Sequence, residues 1–114
     1  MQLNSDIIRN TEIIDGVLQP EKSFDVIRRD FIVGGRMAVL YFIDGFIKDE
    51  MFEKVMEFLF KIKPEEIKDI ENMEQYMLSF MPYVEVGHES ESSNVITAIL
   101  SGPAVMLIDG IDGA

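Results

Sequence analysis

A chain of 114 residues that is 47 % apolar, carries a formal net charge of −11 and has no cysteine can build one hydrophobic core, without disulfides or thiolate metal sites. Its charge is lopsided: residues 1–68 hold all ten Lys and Arg against thirteen acids, while from Asp69 onward there are eight acids and no Lys or Arg. Such a surface repels phosphate backbones and anionic headgroups, which argues against nucleic acid as a partner and against direct membrane insertion. In chain order, residues 4–18 (NSDIIRNTEIIDGVL) read as a short helix capped by Asn4 or Ser5, with Ile7, Ile8, Ile14 and Leu18 near helical spacing and Pro20 closing it. Residues 1–20 are therefore set apart as an N-terminal helix or linker, and 21–114 as the α/β subdomain proper.

Two strand-like runs follow, flanking Gly34-Gly35, a pair suited to the positive φ angles of a two-residue hairpin turn. The first run mixes charge with apolar residues (Asp25, Arg28, Arg29, Asp30), as an edge strand does. The second, Met37 to Ile43, is apolar on both faces and fits a central strand covered by helices on each side. It is also the longest unbroken apolar run, far short of the roughly 18 residues of a membrane helix. Residues 49–62 then read as a helix with a narrow polar stripe (Glu53, Lys54, Glu57, Lys61), so that its apolar flanks either pack internally or meet another chain.

Pro64 opens a helical turn, and Asn72 with Gln75 forms a capping-box pattern ahead of Met73, Tyr76, Met77 and Phe80. Tyr83 to Val86 reads as a short strand. A helix from about Glu91 to Leu100, with Ile96, Ile99 and Leu100 inward, ends at Gly102-Pro103. Ala104 to Ile108 is the last strand. The alternation predicts a single layered α/β domain: a mixed sheet of about four strands with flanking helices. "AVLYFIDGF" and "AVMLIDGI" echo each other and suggest two equivalent, parallel central strands. Ala104 to Ile108 would then need a neighbour on each side, one of them a returning hairpin arm after Asp112-Gly113 that the sequence does not contain.

Chemistry is sparse. His88, the only histidine, lies in a Gly/Ser/Glu loop and reads as solvent-exposed. Asp44 and Asp109 end the two echoing strands, where open α/β sheets bind ligands, and are the candidate ligand-binding residues. The alternative is that each is a turn residue bonding its own loop. There is no phosphate-binding glycine loop, no nucleophile elbow and no metal-ligand spacing, so the sequence supports neither catalytic residues, nor a metal, nor a cofactor. The acidic half is either a solvated face or a docking face for a basic partner.

"FDVIRRDFIVGGRMAVLYFIDGFIKDEM" (24–51) and "VITAILSGPAVMLIDG" (95–110) together resemble the N-terminal domain of the GerA family of spore germination proteins. "GGRMAVLYFIDGFIKDE", with "FMPYVEV" at 80–86, leans toward its stage V sporulation protein AF branch. The resemblance implies a fragment of a longer membrane protein of the spore inner membrane, with this domain on the cytosolic, spore-core side. It implies a non-catalytic assembly and signalling role, other subunits of a germination membrane complex as partners, and a possible homo-oligomer. In that role Phe58 and Phe60 of the 49–62 helix are the candidate interface residues. A small-molecule or cation sensor at Asp44 and Asp109 is the competing expectation.

Overall fold

The computed structural model describes residues 1–20, 25–43, 53, 56–57, 59–80 and 87–114. In chain order these form α1 (Ile7–Leu18), β1 (Val26–Val33), β2 (Arg36–Ile43), α2 (Pro64–Ile67), α3 (Met73–Phe80), α4 (Ser92–Ser101) and β3 (Val105–Ile108). Glu53, Met56, Glu57, Leu59 and Phe60 are helical as well. The expected strand at Tyr83–Val86 lies outside the described residues.

β1 and β2 form the predicted hairpin, in register from Val33↔Arg36 to Val26↔Ile43. Gly34 and Gly35 both take positive φ, 56° and 78°, matching the right-handed twist of the strands they join. Among the described residues the sheet has three strands in the order β1-β2-β3, and both pairings are antiparallel. This corrects the expected mixed sheet and its parallel echo strands. β2 leaves the sheet at Ile43 and β3 enters opposite Tyr41, at that same end, whereas a parallel neighbour would require the chain to return first to Arg36. Among the described residues β2 is the strand with a neighbour on each side, and β3 pairs with β2.

Period-two alternation divides β2 between two cores. Val39, Tyr41 and Ile43 join Leu3, Ile7, Ile14, Val26, Val95, Ile99 and Leu107 beneath α1 and α4. Ala38 faces the other way, with Val33, Leu59, Ile62, Ile67, Met73, Tyr76, Ile108 and Ile111. The sheet is thus covered on both faces, as the two-sided apolar run requires. The N-terminal helix is no peripheral appendage, because Leu3, Ile7 and Ile14 are 4 %, 2 % and 0 % exposed.

Local signals explain the helix ends. Asp6, not Asn4 or Ser5, caps α1: it is extended (φ −91°, ψ 104°) and its Oδ1 accepts the Ile8 and Arg9 N–H groups. Asn4 instead accepts the Asp6 N–H at 2.8 Å, which shapes the approach. Ahead of α3, Asn72 Oδ1 accepts the Gln75 N–H and Gln75 Oε1 accepts the Glu71 N–H, both at 2.9 Å. In α4 the buried stripe is Ser92, Val95 and Ile99, with Ile96 half-buried and Leu100 exposed. The expected inward trio was wrong at Leu100, since the i, i+4 pair Val95–Ile99 fixes the rotation and turns the next residue out.

Candidate functional site

Asp109 sits at the end of β3, in a turn closed by the Ile111 N–H donating to Ile108 O at 3.1 Å. Gly110 there has φ 82°, a left-handed conformation that disfavours a side chain, and a Cβ on it would displace the end of the Arg36 side chain, whose Nη1 lies 2.6 Å away. Arg36 in turn donates to the backbone oxygens of Asp109 and Lys68, each at 3.3 Å. Asp109 Oδ1 accepts the Ile7 N–H at 3.2 Å. With Asp6 accepting the next two N–H groups, the first turn of α1 has carboxylate partners throughout, and both negative charges sit at the positive end of the helix. The strand-end position is as expected, and its carboxylate is occupied by α1. Asp44 and Phe58 lie outside the described residues.

Beyond Asp109 the last residues do not turn back along β3. Gly110 N–H donates to Ser5 O at 2.7 Å, Asp112 N–H to Glu71 O at 2.8 Å, and Met73 N–H to Asp112 O at 2.8 Å. Ala114 and Glu89 exchange both backbone bonds, at 2.9 and 3.1 Å. Ile111 between them is completely buried. The opening residues bind the same loop: Leu3 N–H donates to Ser90 O and Ser92 N–H to Met1 O, each at 2.7 Å. The N-terminal segment therefore pairs beside α4 and not along β3. Glu89 Oε1 accepts the Ser90 and Glu91 N–H groups and the Asn94 amide, and the bond from Glu91 contributes most to holding its carboxyl below the usual range.

A second polar cluster lies under α1. The Tyr41 hydroxyl donates to Asp15 Oδ1 at 2.8 Å, Arg28 pairs with Asp15 Oδ2, and Arg28 Nε donates to Asp30 at 2.9 Å. Burial first, then the bond to Asp15, pushes the Tyr41 phenol far above its ordinary range. Burial works against the Arg28 charge, and the bond to Asp30 with the neighbouring carboxylates outweighs it, so its pKa rises. With the phenol held neutral and the guanidinium charged around neutral pH, this is a tie between α1, β1 and β2. Sequence reading missed it. The available signal was Tyr41 itself, a polar-tipped residue inside the apolar run 37–43, whose hydroxyl must find a partner once buried.

Phe60 is 62 % exposed and meets Phe31 of β1 edge-to-face, with ring centroids 6.2 Å apart and planes at 80°. His88 is exposed on its loop. Among the described residues no group of three or more His, Asp or Glu side chains could hold a metal ion, and no helix is long and apolar enough to cross a membrane.

Residues 13–114 match the sequence profile of the Bacillus/Clostridium GerA spore germination protein family. No curated protein matches the chain. Among solved structures it resembles the N-terminal domain of the A subunit of the Bacillus megaterium spore germinant receptor GerK3. That likeness has a TM-score of 0.68 at 16 % identity, covering 96 % of this chain and 89 % of the other. At so low an identity it is a likeness of fold.

Proposed function

This chain belongs to the GerA family of spore germination proteins, and from that premise we propose that it is the N-terminal domain of a germination membrane protein of the receptor A-subunit or sporulation AF type. Its role is non-catalytic: it docks against other subunits of the complex on the spore-core side of the inner membrane and passes their state on. The observation that carries the docking role is Phe60. A phenylalanine ring held largely in water against Phe31 gains little from folding, and an exposed aromatic of this kind is the usual anchor of a protein interface. The edge-to-face contact fixes the ring in place before a partner arrives, which lowers the entropy lost on binding.

The test is Phe60→Glu in the full-length protein, followed by crosslinking and copurification from spore membranes. Because the side chain is exposed, the isolated chain should keep its helix content and lose no more than about 0.5 kcal/mol of stability. Recovery of the partner subunits should fall several-fold. A variant that folds and still copurifies in full would remove Phe60 from the interface.

A further inference from the structure

The start of α1 overhangs a corner of the sheet without closing it. Asp109 Oδ1 holds the Ile7 N–H, Asp109 N–H donates to Met37 O, and Met37 stands opposite Ile32 in the β1–β2 register. These contacts set the first turn of α1 above the hairpin end of the sheet, on the face that carries Val26, Met37, Val39 and Tyr41. Ile8 and Asp15 are two helical turns apart and so share one flank of α1. Asp15 reaches Arg28, which means that this flank looks toward β1. Arg28 and Ile32 in turn lie on one face of β1. Ile8 from above and Ile32 from below therefore border the same corner, beside the half-buried Met37. Both stay in water, 56 % and 57 % exposed. Phe31 packs on the other face of the sheet, so this corner is separate from the Phe31–Phe60 contact.

The rim of the corner decides what fits there. Asp6 and Glu12 are exposed on the α1 side, and below them Asp15 and Asp30 share the single cation Arg28. Arg9, the base within α1, is turned to the N-terminal segment, where it donates to Gln2 O at 3.1 Å. The carboxylate excess would set acid against acid in a pair of such corners, and it draws Lys or Arg instead. A helix laid beside α1, at the usual spacing of about 8–10 Å between axes, would extend the α1–α4 layer over Asp30 and Ile32. We infer that the corner between α1 and β1 docks an amphipathic helix of a partner polypeptide. Its apolar face meets Ile8 and Ile32, and its Lys or Arg residues meet Asp6, Glu12 and Asp30.

The experiment labels the isoleucine methyl groups of the chain and titrates it with a synthetic helix-forming peptide that has leucine on one face and lysine on the other. Two controls run beside it: the same peptide with glutamate in place of lysine, and a lysine peptide of equal composition with its leucines scattered. The lysine amphipath should shift the Ile8 and Ile32 methyl resonances and leave the buried Ile67, on the opposite face, in place. It should bind at least about tenfold more tightly than either control. Glu12→Lys should narrow the gap between the lysine and glutamate peptides. Ile32→Ser, an exposed change that leaves the rest of the methyl spectrum intact, should weaken the lysine amphipath about fivefold or more. Equal binding of the scattered peptide, shifts that cluster away from Ile8 and Ile32, or no response to any peptide would overturn the inference. So would Ile8 and Ile32 shifts that grow with chain concentration in the absence of peptide, which would assign the corner to a second copy.

Discussion

Asp15 is the residue on which three elements converge. One carboxylate oxygen takes the Tyr41 hydroxyl from β2 and the other takes Arg28 from β1, while the Asp15 backbone carbonyl accepts the Gln19 N–H at 2.8 Å and closes α1. Tyr41→Phe should cost about 1–2 kcal/mol, because Asp15 loses a neutral donor yet keeps its ion pair. Tyr41 itself predicts an alkaline limit. Its folded pKa is raised above the ordinary 10.0, so its contribution is complete below about pH 10 and declines as pH climbs through the folded value. Thermal melts across that range should show a shallower loss for Tyr41→Phe than for the parent; identical slopes would mean that the hydroxyl is not the titrating group. At Gly34 the constraint is steric. A Cβ there would lie 2.5 Å from Ile67 Cγ2 on a side chain with no exposure, and φ is 56°. Gly34→Ala should therefore destabilise by about 1–3 kcal/mol, while Gly35→Asn, with room to spare at 3.5 Å from Pro64 and a residue tolerant of positive φ, should be close to neutral in denaturant melts.

At the level of elements, what the sequence makes legible is what local chemistry decides. The Gly-Gly turn, the Asn72/Gln75 pattern, Pro64 at a helix start and the two-sided burial of β2 each follow from a few adjacent residues. The direction of β3 does not. It depends on where a connection of some sixty residues returns the chain, and the Ile-Asp-Gly ending shared by β2 and β3 marks strand ends without saying which way the strands run. Leu100 was misread because helical spacing alone leaves the rotation of a short helix free, and Val95 settles it only once α4 meets the sheet. Asp109 illustrates the limit for sites. Its strand-end location could be read, but the α1 N-terminus that it caps is 102 positions away in sequence. The Phe31–Phe60 contact was half visible, as an apolar excess on one helix whose facing partner could not be named.

For the molecule as a whole, the sheet needs both of its covers. α1 shields Val39, Tyr41 and Ile43 on one face, so residues 1–20 belong to the same folding unit as the strands. A chain trimmed to residues 21–114 would uncover that face and orphan both Asp109 and the Arg28 cluster. It should lose its cooperative melting transition and bind hydrophobic dyes, whereas a sharp transition retained near the parent temperature would show that the N-terminal helix is dispensable. The two ends of the chain carry a different consequence. Met1 and Leu3 are fastened to Ser92 and Ser90, and Ala114 is fastened to Glu89. Tension applied between the ends would pass through the short run 89–92 and bypass the sheet, parting these few bonds in succession like a zip. The domain would then yield first at the start of α4, under a small force, and a pull arriving at either end would be felt at the same place.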